Sequence, residues 1–127
     1  MKDHYTVWIA ESFSCQKDII QALKDSSLAS PLKIICSHHL LRPELQHIAD
    51  LFIQQPDILD AAEWLLKQCI QFKVDLLFCG KKAHCIEPYR EQFAKHNIQL
   101  ITGTMSLQAL EDIDDKFVFT EQCKALH

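Results

Sequence analysis

KVDLLFCGKK, residues 73–82, is the stretch whose reading decides the fold. Residues 74–79 form a short apolar run bounded by Lys73 and Gly80. The run is too short for a core helix and too uninterrupted for a strand with one wet face. It reads as a strand buried on both faces, as in the middle of a parallel sheet. Gly80 closes it, and a glycine there lets the backbone turn sharply or approach a ligand closely. Lys81 and Lys82 follow at the carboxyl end, the edge where open α/β sheets bind their ligands.

The same alternation extends in both directions. Residues 5–10, YTVWIA, are β-branched and aromatic and predict a first strand. Ser14 caps a helix whose apolar face is Cys15, Ile19, Ala22 and Leu23. A second strand is expected over 32–36, a short helix over 44–48 with Pro43 in its first turn, and a third strand over 51–54. Asp57 reads as the cap of a helix over 58–72, with a stripe of Ile58, Ala61, Ala62, Leu65, Cys69 and Phe72. Beyond the central strand, Ile86, Tyr89 and Phe93 mark a helix with Pro88 in its first turn, and Asn97 a left-handed helix end. Residues 98–102 predict a fifth strand closed by Gly103. Ser106 caps a helix through Leu107, Leu110 and Ile113, and Asp114 opens a last one with Phe119, Cys123 and Leu126 on one face. Crossover helices between short apolar strands imply a three-layer α/β/α domain on a five-stranded parallel sheet, Rossmann-like or flavodoxin-like in strand order.

Composition narrows the functional classes. A chain of 127 residues fits one domain, and at this size it buries roughly two-thirds of its unfolded surface without staples. With 13 basic and 17 acidic residues, the balance argues against nucleic-acid binding and against a polybasic membrane contact. No apolar run approaches the ~20 residues of a membrane span, and the first residues do not read as a signal peptide. The six cysteines form no C-x-x-C pair and mostly sit in apolar runs, which points to a reducing, cytoplasmic setting.

The loops at the carboxyl edge carry the candidate residues: Glu11 and Ser12 after strand one, Gly80, Lys81 and Lys82 after strand four, and Gly103 after strand five. The first loop, ESFSC, has no glycine, which sets dinucleotide binding aside. Acidic residues after strands one and three and a lysine after strand five would mark a phosphate-receiver domain, and of these only Glu11 is present. Cys85 and Arg90 are one residue too close for a cysteine phosphatase loop. Cys79, His84, Cys85, His38 and His39 could converge on a metal, but their irregular spacing predicts none. Lys81 and Lys82 read either as a solvated turn or as an anion contact.

The end of the chain adds a resemblance. Residues 114–127, DDKFVFTEQCKALH, resemble the start of the ATP-grasp region in ATP-dependent carboxylate–amine ligases. Asp115-Lys116, Phe119, Cys123 and Leu126 match its pattern of D-K, an apolar helix, a small-or-Cys position and L-G-I-P, with His127 where the glycine usually stands. The preceding layout is similar to the pre-ATP-grasp domain of bacterial members of this superfamily. The resemblance implies a pre-ATP-grasp domain over 1–113 and a truncated start of the ATP-grasp region over 114–127. It implies that the full-length parent uses ATP and Mg2+ to activate a small-molecule carboxylate as an acyl phosphate for attack by an amine, and that Lys116 contacts the nucleotide phosphates. The downstream domains would be the partners, a homodimer is possible, and the fragment alone would be inactive. The alternative is a free-standing flavodoxin-like module that binds a ligand or partner without catalysis, with a small-molecule sensor as a third reading.

Overall fold

The computed structural model of the protein describes residues 4–11, 16–26, 31–58 and 61–102. Strand and helix alternate throughout: β1 Tyr5–Ile9, α1 Gln16–Asp25, β2 Leu32–His38, α2 Pro43–Ile48, β3 Leu51–Gln54, α3 Ala61–Gln71, β4 Leu76–Phe78, α4 Ala83–Ile86, α5 Arg90–Lys95 and β5 Gln99–Ile101. The five strands make one parallel sheet in the order β3-β2-β1-β4-β5. This is the Rossmann-like order rather than the flavodoxin-like one. The chain moves outward from β1 to β3, then crosses to the other side of β1 for β4, so the topological switch point lies between β1 and β4.

Successive side chains of β1 point to opposite faces. Trp8 and Ala10 join Ile35, Leu65, Cys69, Leu77, Ile86 and Phe93 in a core beneath α3, α4 and α5. Val7 and Ile9 join Ile20, Ile34, Cys36 and Leu45 beneath α1 and α2. The indole of Trp8 is fully buried and packs on Trp64 and Phe72, each with ring centroids 6.0 Å away.

Two devices that pattern reading does not reveal fix the strand starts. Asp50, just before β3, accepts the Ile34 amide on its carboxylate (2.7 Å) and gives its own amide to the Ile34 carbonyl (2.9 Å). Asp75, just before β4, does the same with Thr6, at 2.9 and 2.8 Å. Each aspartate thereby clamps its strand to the neighbour nearer the centre. Two helices close with a left-handed residue, Lys73 (φ 54°) and the expected Asn97 (φ 60°). After α3 the Val74 amide reaches back to the Cys69 carbonyl and Lys73 to Ile70, the paired bonds of a Schellman end. A lysine there costs about 1 kcal/mol relative to a glycine.

Several boundaries differ from the sequence expectation. β2 runs two residues further than expected, because Ser37 and His38 pair with Ile53 and Gln54 of β3. Asp57 and Ile58 lie outside α3, and Ile58 is exposed rather than on the buried stripe. Asp57 therefore does not cap a helix at Ile58, and its carboxylate lies 3.8 Å from Lys82 Nζ. Pro88 falls inside a 3-10 turn, Glu87–Tyr89, that separates α4 from α5, since a proline has no amide to continue an α-helix. The central strand is fully buried on one face, through Leu77 and Cys79, whereas Leu76 and Phe78 on the other are only half-buried. The expected helices over 106–113 and from Asp114 onward, and the boundary at 113/114, lie outside the described residues. Among the described residues no helix is long and apolar enough to cross a membrane.

Leu77 has no exposure and sits on β4, between β1 and β5. Leu77→Ala is expected to cost about 2–5 kcal/mol in urea unfolding. Ile70→Ala, at a 41 % exposed position on α3, is expected to cost under about 1 kcal/mol. Equal, small losses would contradict this placement of β4.

Candidate functional site

Register places the site. Ile9 pairs with Cys36 on β2 and with Phe78 on β4, so two residues further on Glu11 stands level with His38 on one side and Gly80 on the other. The backbone confirms the second juxtaposition: the Lys81 amide donates to the Glu11 carbonyl at 3.1 Å.

Glu11 is 5 % exposed, and its carboxylate is met by three nitrogen groups on a single oxygen. Oε1 lies 2.6 Å from His39 Nδ1, 3.1 Å from Lys81 Nζ and 3.5 Å from His38 Nε2. Burial alone would raise the Glu11 pKa. The hydrogen bonds from Lys81 and His39, with the fields of His38 and His39, outweigh it and hold the carboxyl below its ordinary value. An ionised carboxylate only accepts hydrogen bonds, so His39 Nδ1 carries a proton toward it. His38 is different. Its Nδ1 accepts the Leu40 amide at 3.0 Å, so in the neutral ring the hydrogen is on Nε2. Burial, opposed by Glu11, lowers the His38 pKa. The two imidazoles stack with centroids 5.0 Å apart.

Glu11, His38 and His39 bring three potential ligand atoms within 4.8 Å of one another, a grouping that the sequence reading did not single out. A metal-bound histidine normally donates its second ring nitrogen to an acceptor. The second nitrogen of His38 instead accepts a backbone amide, and the Lys81 ammonium already sits where a cation would approach Glu11. Two imidazoles and one carboxylate are also a poor set for Mg2+, which prefers oxygen. The trio therefore fits a braced carboxylate rather than a metal centre. Cys79, His84 and Cys85 take no part in it; His84 Nε2 lies 3.4 Å from Cys85 Sγ. The buried thiols are also poor nucleophiles: burial pushes Cys36 and Cys69 up to about 12, and Cys79 upward as well.

The edge is stitched by further polar bonds. Trp8 Nε1 donates to Ser37 Oγ (2.9 Å), which donates to Gln55 Oε1 (3.1 Å). Gln16, at the start of α1, donates to the Ile9 and Ser37 carbonyls at 3.1 and 2.9 Å. On the far side of β4, Glu87 is gripped by the Arg90 guanidinium and accepts the Thr102 hydroxyl at 2.7 Å. Arg90 also donates to the Leu100 carbonyl at 3.0 Å. The hydrogen bonds from Arg90 lead in holding the Glu87 carboxyl low. This cluster ties the end of β5 to the 3-10 turn, a bracing role.

Of the expected site residues, Glu11, Gly80 and Lys81 meet at the switch point. The Lys81 side chain is 42 % exposed, and one of its three N–H donors is engaged by Glu11. Lys82 turns elsewhere, donating to the Ile58 carbonyl at 2.9 Å beside Asp57. Ser12, Gly103 and Lys116 lie outside the described residues. Nothing among the described residues forms a glycine-rich cradle for ATP phosphates. Compared with family models and with curated proteins, the chain matches none.

Because the Glu11 carboxyl titrates below its ordinary 4.5, its ionised form stabilises the fold above that value. The contribution fades as pH falls through the lower, folded-state value. Below about pH 5 the parent chain is expected to lose more unfolding free energy than Glu11→Gln does. Parallel losses for the two proteins in urea titrations would show that Glu11 is not held ionised.

Proposed function

We propose that the chain is the N-terminal, substrate-side domain of an ATP-grasp ligase that activates a carboxylate as an acyl phosphate for attack by an amine. The observation that carries this reading is the half-exposed Lys81 ammonium, pinned by a buried carboxylate at the switch point of a Rossmann-like sheet. The carboxyl ends of the strands there form the crevice in which such sheets bind ligands. Glu11 fixes the direction of Lys81, and the remaining N–H donors of the ammonium suit a substrate carboxylate. Charge-assisted bonds of this kind are among the stronger ones. The resemblance of residues 114–127 to the start of an ATP-grasp region supplies the rest of the reading. ATP and Mg2+ belong to the region downstream, where the metal would offset the charge on the transferring phosphoryl group.

Within this reading Glu11 is an anchor, not a general base, because its proton affinity is low and Oε1 is surrounded by donors. Lys82 braces the segment before α3, and Lys116 is the nucleotide contact. A second reading, a module that binds an anionic ligand without catalysis, is favoured by the same neutralised Glu11–Lys81 pair and by the inert thiols.

The test uses the chain continued by its own downstream sequence. Lys116→Ala is expected to weaken ATP binding in calorimetry, and Lys81→Ala to weaken carboxylate binding by roughly 10- to 100-fold, the worth of one charge-assisted bond. Lys82→Ala is expected to change carboxylate affinity little. Carboxylate binding without any ATP binding would leave the binding module and remove the ligase. Unchanged carboxylate affinity in Lys81→Ala would remove the site itself.

A further inference from the structure

Glu11 orients a second side chain besides Lys81. His39 directly follows β2, and its Nδ1 lies 2.6 Å from Glu11 Oε1. Glu11 is held ionised, and a carboxylate only accepts, so the proton of this bond is on Nδ1. A neutral imidazole has one N–H. Its Nε2 therefore keeps a lone pair, and among the described residues no hydrogen bond engages it. The His39 side chain is 25 % exposed, so ligand and water reach the ring. Its seat is rigid. The ring stacks on His38 with centroids 5.0 Å apart, and the His39 carbonyl accepts Gln54 Nε2 at 2.9 Å. His38 has the opposite tautomer, with its lone pair spent on the Leu40 amide. Of the two rings, His39 is the one that can take a proton from a ligand.

We propose that His39 is the general base for the attacking amine, accepting its proton at Nε2 while Glu11 holds the ring through Nδ1; this role rests on the ligase reading above. A base that is itself oriented by a third group is the recurring arrangement for activating a nucleophile. Imidazole suits the task because it takes up and releases protons near neutral pH. Lys81 Nζ and His39 Nδ1 meet the same Glu11 oxygen, at 3.1 and 2.6 Å, so both side chains stand within reach of one small ligand. Lys81 follows β4 and His39 follows β2, with Glu11 between them. The carboxylate substrate is thus placed on the β4 side of the crevice and the amine on the β2 side. In the step itself, the lone pair of the neutral amine forms the C–N bond to the acyl carbon. The C–O bond to the phosphate breaks, and phosphate leaves with that electron pair. One amine proton passes to Nε2. The imidazolium so formed is stabilised by ionised Glu11, which does not itself become protonated, and the exposed ring then releases the proton to water.

Two measurements test this role. Nitrogen-15 NMR of the imidazoles in the 127-residue chain, in alkaline buffer where the rings are neutral, reads the tautomer without any need for turnover. The expected result is a protonated Nδ1 and a bare Nε2 at His39. A proton on Nε2 would overturn the proposal. The second measurement uses the chain continued by its own downstream sequence, with His39→Asn, whose amide still donates to Glu11 but takes up no proton. Hydroxylamine, largely unprotonated at neutral pH, captures an acyl phosphate as a hydroxamate without help from a base. The variant is expected to keep hydroxamate formation and carboxylate affinity while kcat for amide formation falls at least ~100-fold. Hydroxamate formation with undiminished amide formation would overturn the role of His39 and leave the ligase reading intact. No hydroxamate from the parent chain would remove the ligase reading and this role with it.

Discussion

Everything at the carboxyl edge follows from the position of β1, held in parallel register between β2 and β4. Trp8 is the reason the register cannot slip. Its ring has no exposure, and a buried indole N–H left without an acceptor costs about 1–3 kcal/mol. Ser37 Oγ supplies that acceptor and passes a hydrogen bond on to Gln55 Oε1, so one polar chain spans β1, β2 and the end of β3. A slip by one residue would turn Trp8 toward α1 and α2 and leave the Ser37 hydroxyl without its donor. With the register set, Glu11 has no freedom to avoid His38 on one side or Gly80 and Lys81 on the other.

The chemistry of the edge is then a matter of charge compensation. A buried carboxylate persists in ionised form only if donors replace the water it has lost. Glu11 finds two, His39 and Lys81, with the His38 ring 3.5 Å away, and Lys81 keeps its far side in solvent. The pair is close to neutral in sum but directional, presenting N–H donors outward from a rigid seat. Glu87 is compensated just as fully, by Arg90 and Thr102, but its partners spend themselves on the β5 terminus. Of the two buried carboxylates described at this edge, therefore, Glu11 presents a donor to the crevice and Glu87 closes the structure.

Much of this was legible in the amino-acid order, and the gaps have physical causes. Short apolar runs separated by helical stripes report a parallel sheet directly, and Gly80-Lys81 marks a strand's carboxyl end. The strand order is not written in any one segment, so half-Rossmann and flavodoxin-like orders stay open until pairing is seen. For the same reason the union of Glu11 with His38 and His39 escapes a linear reading, since 28 positions separate Glu11 from His39. Its signal was nevertheless present: the loops after two strands that become neighbours each carried a residue able to ionise. Asp57 illustrates the opposite error. An aspartate before an apolar stripe reads as a helix cap, but here Lys82 lies beside it, and Ile58 stays outside the helix. Asp50 and Asp75 leave no mark in a linear reading, because a lone acid before a strand has no periodic signature.

The central claim is that Glu11 and Lys81 meet across the β1/β4 switch point and depend on each other there. A double-mutant cycle in unfolding free energy near neutral pH, with Glu11→Gln, Lys81→Met and the pair together, measures that dependence most directly. The account predicts a coupling energy of about 0.5–3 kcal/mol, as for residues in one hydrogen-bonded network. Losses that add to within about 0.3 kcal/mol would mean the two side chains act independently, and the site described here would not exist.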